Sequence, residues 1–225
     1  MQVIILAAGR GTRLRPVTDD IPKPMVNFRG VPLLEYTLSI LPIEVDHVII
    51  VIGWLGHKIE NYFGRQFFGR KINYVPQSEP KGTFHAIKMA LPSLTGDNFM
   101  IVSGDDVYHK DDLAKVAASR ELSLLATETK TPERFGICKI GENGYLESIV
   151  EKPKVFCGSL AGIGVYKLNK KIFDEPVIFG PNGEELLAPM IGNLAASHKI
   201  EVIPASFWHP IADLNDLEKA QRILI

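Results

Sequence analysis

The sequence predicts an α/β protein built on one sheet, parallel in its first half and mixed in its second. Three observations predict it. Short β-branched runs bounded by turn residues recur through the N-terminal half, segments with helical apolar spacing separate them, and from Glu121 onward the pattern becomes richer in strands. In order, strands are expected at Val3 to Ala7, His47 to Ile52, Lys71 to Val75 and Phe99 to Ser103. Between them Leu33, Leu34, Thr37, Leu38 and Leu41 follow Pro32 at helical spacing, as do Ile59, Tyr62 and Phe63, and then Phe84, Ile87, Ala90 and Leu91. Strand alternating with helix implies parallel pairing through crossovers. Further strands are expected at Leu122 to Thr127, Gly136 to Ile140, Leu146 to Val150 and Gly162 to Tyr166, before helices near Glu184 to Ala196 and Leu214 to Leu224. No repeat, low-complexity tract or long linker interrupts the chain, so residues 1–225 read as a single domain.

With 225 residues, 46% hydrophobic and 23% charged, the chain is long enough to bury a real core. A formal net charge of -1 argues against a nucleic-acid or anionic-membrane partner, which would need a basic surface. Any positive site must therefore be local. Cys138 and Cys157 form no CxxC pair and read as free thiols of a reducing compartment. The run from Val3 to Ala8 is too short for a signal-peptide core and no apolar stretch reaches membrane-spanning length, so a cytoplasmic location is expected. The histidines are scattered without zinc-site spacing, and Trp54 and Trp208 read as core residues.

The densest chemistry lies where the first strand ends: Leu6-Ala7-Ala8-Gly9-Arg10-Gly11-Thr12-Arg13-Leu14-Arg15-Pro16, then Thr18, then Pro22-Lys23-Pro24. Ligands of open α/β sheets bind beyond the carboxyl ends of strands, and glycines there let backbone N–H groups approach phosphate. Leu14 stands where a dinucleotide fold would want its third glycine, and no Walker pattern is present. Arg10, Arg13, Arg15 and Lys23 fall within fourteen residues of an otherwise neutral protein, a concentration of cations suited to a polyphosphate.

This stretch resembles the signature of the sugar-1-phosphate nucleotidyltransferases, an apolar strand followed by Ala-Gly-x-Gly-Thr-Arg-Leu-x-Pro-x-Thr and then Pro-Lys-Pro. The likeness continues at lower specificity through most of the chain. It implies a Rossmann-like α/β/α sandwich with a predominantly parallel mixed sheet, a nucleotide-binding part over about residues 1–120 and an acceptor-binding part over about 121–225. It also implies Mg²⁺-assisted joining of an NTP to a sugar 1-phosphate, with in-line attack on the α-phosphorus and release of pyrophosphate. Leu6, Ala8, Gly9, Gly11, Thr12 and Arg13 would then hold the nucleotide, with Arg13 gripping the β and γ phosphates. Lys23 would lie between the α-phosphate and the incoming phosphate. Electrostatics agrees, because a phosphate dianion attacking a polyanion needs fixed cations to neutralise both partners.

Other segments extend the resemblance. In Gln77-Ser78-Glu79-Pro80-Lys81-Gly82-Thr83, Gln77 carries an amide able to donate and accept, suited to a base edge, and Gly82 leaves room for the ring. Taken alone, the same residues read as a polar turn with a Thr83 helix cap. Ser103-Gly104-Asp105-Asp106 follows an apolar strand, and the resemblance makes Asp105 the Mg²⁺ ligand, with Asp106 reading first as a turn residue. Gly136, Glu151, Lys152 and Gly162 fall in elements similar to the family's sugar pocket, where Glu151 would accept bonds from hydroxyls and Lys152 would bind the acceptor's phosphate.

One expected feature is absent. The family usually carries a second metal-binding acid two residues after a tryptophan near its C-terminal helix, and here that place is Pro210 of Trp208-His209-Pro210-Ile211-Ala212-Asp213. Ala212 fills the other position used by relatives, and Asp213 reads as the N-cap of the last helix. The departure leaves three readings: metal held by Asp105, phosphates and water, a shifted ligand such as His209, or an impaired enzyme. A cytidylyltransferase for phosphocholine or inositol phosphate, and a non-catalytic nucleotide-sugar-binding subunit, stand as alternatives. The family commonly self-associates, but the sequence shows no interface signal. The chain ends soon after its last expected helix, so no appended β-helix or acyltransferase activity is expected.

Overall fold

The computed structural model describes residues 1–223, and Leu224, assigned by sequence to the last helix, lies outside them. In chain order the strands are β1 (Gln2–Ala7), β2 (Asn27–Phe28), β3 (Val31–Pro32), β4 (His47–Ile52), β5 (Gln66–Phe67), β6 (Arg70–Pro76) and β7 (Asn98–Ser103). Then come β8 (Asp106–Tyr108), β9 (Leu122–Glu128), β10 (Gly136–Ile140), β11 (Leu146–Glu151), β12 (Leu160–Asn169), β13 (Ile200–Pro204) and β14 (Trp208–Pro210). The α-helices are α1 (Val17–Asp20), α2 (Leu33–Ser39), α3 (Gly56–Phe63), α4 (Thr83–Ala90), α5 (Lys110–Ala118), α6 (Leu187–Leu194) and α7 (Leu214–Gln221).

The main sheet runs β11-β10-β12-β7-β1-β4-β6-β5, with β9 paired to β12 and β13 to β9. Pairing is parallel for β1 with β4 and β7, for β4 with β6 and for β9 with β13; β12 runs antiparallel to β7, β9 and β10. From β1 the chain builds outward through β4 and β6, then returns to place β7 on the other side of β1. That reversal makes the carboxyl ends of β1 and β7 a topological switch point, where open α/β sheets form their ligand crevice. Gly104 fits there because a Cβ would lie 2.8 Å from Ile5 Cγ2, and its N–H donates to the Leu6 carbonyl at 3.0 Å.

Two apolar layers explain the strands. Ile4, Ile49, Ile101 and Leu124 face Phe84 and Ile87 of α4 and Met190, Ile191 and Leu194 of α6. Val3, Ile5, Val48, Ile50 and Val102 face Leu34 and Leu38 of α2, Ile59 and Phe63 of α3, and Leu113 and Val116 of α5. Both faces being covered explains why these strands read as continuous apolar runs rather than alternating ones. The architecture is the Rossmann-like α/β/α sandwich with a mixed, largely parallel sheet. A third cluster, Leu14, Phe28, Leu33, Val107, Ile211 and Ala220, fastens the loop after β1 and the C-terminal segment to the β8 region.

Candidate active site

The loop after β1 is shaped by its glycine and its anchors. Gly11 takes a left-handed φ of 62°, its carbonyl accepts from the Leu14 N–H at 2.9 Å and from Thr18 Oγ1 at 2.7 Å, and Leu14 is buried in the third cluster. The Pro22-Lys23-Pro24 segment winds into one short 3₁₀ turn, closed by Met25 N–H to the Pro22 carbonyl at 2.7 Å. A side chain on Gly11 would come within 2.9 Å of Lys23 Cβ, so this glycine is where the loop lies directly on the lysine. The result is a Lys23 only 9% exposed, its Nζ 2.6 Å from Asp105 Oδ2. Of the four loop cations, Arg13 and Lys23 line one cavity together with Asp105 and Asp106. Arg10 instead covers the Trp54 ring at 5.8 Å, and Arg15 pairs with Asp19 at 3.0 Å. Thr12, expected to touch nucleotide, is an exposed residue of the first 3₁₀ turn.

Asp106 gains a partner that the sequence did not reveal. The ribbon β8–β14 sets Pro210 directly opposite Asp106 and Trp208 opposite Tyr108. Trp208 is partly buried against the core layer of Val3 and Ile5, and its Nε1–H donates to Asp106 Oδ2 at 3.0 Å. The position lacking its expected acid therefore faces one across the ribbon. His209 is turned away, its Nε2 2.8 Å from the Asp216 carbonyl, and Asp213 caps α7 by accepting from Asp216 N–H at 3.0 Å.

Burial, and secondarily the charge of Asp105, push Asp106 up to about 7, opposed by Lys23 and Trp208. An acid whose folded pKa exceeds its unfolded value favours the fold when protonated, so its contribution is fully present below about pH 4 and is lost as pH rises towards 7. In chelator-treated protein, Asp106→Asn is therefore expected to melt above wild type at about pH 7.5. The two should converge near pH 4. Parallel thermal melts at the two pH values measure the difference.

The acceptor side is built by β10, β11 and β12. Gly136 pairs with Glu151 on one side and Gly162 on the other, and a Cβ on it would approach Glu151 Oε2 to 3.0 Å. Burial raises the Glu151 pKa, with Lys152 beside it opposing the shift. Lys152 holds a left-handed φ of 45°, strained for a lysine, and its N–H donates to the Phe135 carbonyl at 2.9 Å. With Gly164 and Tyr166 these residues line a cavity of about 260 Å³. It shares Ser103 and Lys152 with the cavity of about 560 Å³ around Arg13, Lys23, Asp105 and Asp106, and with a third of about 350 Å³. That third cavity is lined by Leu6, Ala8, Gly9, Gln77, Gly82 and Thr83. Ser103 lines all three, a placement that its position at the head of Ser103-Gly104-Asp105-Asp106 does not by itself reveal.

Gly82 lines the third cavity and has a second reason to be glycine. Its φ is 103°, and a Cβ would lie 2.4 Å from the Glu185 carbonyl oxygen and 2.6 Å from the Glu185 nitrogen. The glycine admits a neighbouring backbone, which is stitched to it by Glu185 N–H to the Lys81 carbonyl at 2.7 Å and Phe84 N–H to the Glu185 carbonyl at 3.1 Å. Thr83 does not cap α4; its Oγ1 accepts from Leu187 N–H at 3.2 Å. Gly82→Ala should cost about 3 kcal/mol or more, since strain and backbone overlap act together. The midpoint of urea unfolding measures it.

Crevice, glycine loop and buried lysine together define an α/β protein with a cation-bearing cleft at its switch point. Residues 2–222 match the nucleotidyl transferase family, and the chain belongs to that family. Among its relatives, the bifunctional protein GlmU of Methanocaldococcus jannaschii is 30% identical over 228 residues, covering 100% of this chain and 54% of that protein. The D-glycero-alpha-D-manno-heptose 1-phosphate guanylyltransferase of Aneurinibacillus thermoaerophilus is 36% identical over 180 residues, 77% of each. The chain thus spans about half the length of the GlmU relatives it matches. A crystal structure of UDP-glucose pyrophosphorylase with UDP-glucose superposes at a TM-score of 0.86 and 22% identity, covering 98% of this chain and 97% of that one, a likeness of fold.

Proposed function

We propose that this chain joins a nucleoside triphosphate to a sugar 1-phosphate and releases pyrophosphate. The observation that carries the reading is Lys23, a nearly buried ammonium on the cavity of about 560 Å³, ion-paired with an Asp105 that also lines the nucleotide-side cavity. From there it can neutralise the attacking phosphate and the α-phosphate together, leaving Arg13 for the departing pyrophosphate. Lys152, on the shared wall, holds the acceptor's phosphate, and Glu151 accepts from sugar hydroxyls. Relatives named for sugar-phosphate substrates support this acceptor class.

The donor set fits a divalent cation. Asp105 and Asp106 are adjacent carboxylates on one cavity; burial first and the Asp105 charge second raise Asp106, and a hard cation with oxygen preference would offset both. Asp105 and Asp106 would hold Mg²⁺, which supplies charge neutralisation on phosphate oxygens when bound. The same pair supports the working enzyme over the non-catalytic reading, since an acid faces Pro210. We place the protein in the cytoplasm: Cys138 and Cys157 are both unpaired thiols, and among the described residues no helix is long and apolar enough to cross a membrane.

Pyrophosphate release with Mg²⁺, across NTPs and dTTP each paired with sugar 1-phosphates, phosphocholine or inositol phosphate, tests the reading. Turnover with a sugar 1-phosphate supports it. Turnover only with phosphocholine or inositol phosphate replaces the acceptor, and binding without turnover in any pairing replaces the enzyme with a sensor.

A further inference from the structure

Six residues line both the acceptor-side cavity of about 260 Å³ and the cavity of about 560 Å³ that holds Lys23 and Asp105: Ser103, Arg134, Phe135, Lys152, Gly162 and Gly164. Of these, Arg134 and Lys152 carry positive charge. Arg134 ends the 3₁₀ turn Pro132–Arg134, its N–H donating to the Thr131 carbonyl at 3.1 Å and the Phe135 N–H to the Pro132 carbonyl at 3.1 Å. Lys152 N–H donates to the Phe135 carbonyl at 2.9 Å, extending the register that sets Gly136 opposite Glu151, so the two cations stand on neighbouring strand ends. The Arg134 guanidinium lies over the Phe135 ring, 5.8 Å from its centroid, and Phe135 meets Trp208 edge-on at 5.3 Å. Among the described residues no carboxylate pairs with it, although Glu133 lies on the same wall.

We propose that Arg134 is a substrate-binding residue that grips the acceptor's phosphate beside Lys152. This rests on the nucleotidyltransferase reading and adds a residue to its acceptor side. A phosphate that attacks the α-phosphorus has to lie where the two cavities join, with its own sugar on one side and the triphosphate on the other. Arg13 and Lys23 line the larger cavity and not the acceptor-side one, so Arg134 and Lys152 are the cations that meet this phosphate from the sugar side. Their chemistry differs. A guanidinium presents parallel N–H donors that match two phosphate oxygens, whereas an ammonium acts as a point charge. The Phe135 face restrains the guanidinium before the acceptor arrives, which lowers the ordering cost of binding. The grip is made before reaction as well as during it, so its loss falls mainly on acceptor binding.

The experiment measures kcat and both KM values in wild type, Arg134→Gln, Arg134→Lys and Lys130→Ala, with the NTP and phosphate acceptor that turn over fastest in the panel above. Arg134→Gln should raise the acceptor's KM about 30-fold, the worth of a charge-assisted pair, while the KM for NTP moves by less than about threefold. Arg134→Lys keeps the charge without the planar fork and should recover part of the loss, leaving the acceptor's KM about fivefold above wild type. Lys130, exposed on the same loop and outside both cavities, should be replaceable by alanine without effect, which separates a specific grip from a general loss of positive charge. Arg134 is itself exposed, so its variants should melt with wild type, and thermal melts verify this. An unchanged acceptor KM in Arg134→Gln, an equal rise for the NTP, or the same rise in Lys130→Ala overturns the inference alone. If wild type releases pyrophosphate with no pairing, the inference falls together with the reading beneath it.

Discussion

Lys23→Ala is expected to lower kcat by about 1000-fold while the protein stays folded. The size follows from position. Lys23 is nearly buried and fixed by its ion pair to Asp105, so its charge is already oriented before substrate arrives and acts through little water. Such preorganised charge at the centre of phosphoryl transfer is worth far more than an exposed cation. An exposed comparison stands in the same loop: Arg15, paired with Asp19 at the surface, should lose little activity on substitution by alanine. Lys23→Arg should not rescue, because Gly11 lies directly on the lysine stem and the planar guanidinium needs more width than the ammonium. Pyrophosphate release at saturating substrates, with circular dichroism as the folding control, checks all three. A Lys23→Ala enzyme within tenfold of wild type would remove Lys23 from the chemistry.

How far the sequence reveals this arrangement depends on range. The buried parallel strands β1, β4, β6 and β7 are legible because each is an apolar run bounded by turn residues, and both faces are covered. Helix α5 escapes notice because Lys110–Ala118 carries only two spaced aliphatics, Leu113 and Val116, among lysines and aspartates. Strand β13 ends in Pro204, a residue that weakens a strand signal and is tolerated here at the sheet's margin. In the site, Lys23, Asp105, Gln77 and Glu151 were legible from local motifs. The placements of Asp106 and Trp208 were not, because they depend on a ribbon joining residues about 100 positions apart. At Gly82 the sequence shows only part of the constraint, because nothing local announces that Glu185 will cross it.

The ribbon register makes the sharpest prediction about the departure at Pro210. Residues directly opposite on antiparallel strands project to the same face within a few ångströms, so an acid can change strands and still serve one cation. On that argument Asp106→Asn should cut kcat by about 100-fold and weaken Mn²⁺ binding in parallel, because position 210 offers no carboxylate to replace it. The double variant Asp106→Asn with Pro210→Asp returns an acid to the other strand and should recover about tenfold of both losses. Pro210→Asp alone should gain little, since a third carboxylate beside Asp105 and Asp106 adds repulsion. Manganese titration by electron paramagnetic resonance, run beside the activity assay, separates this from general damage to the fold. Recovery of neither property in the double variant would show that Asp106 serves through Trp208 as a structural partner, and that Asp105 holds the cation without a second protein acid.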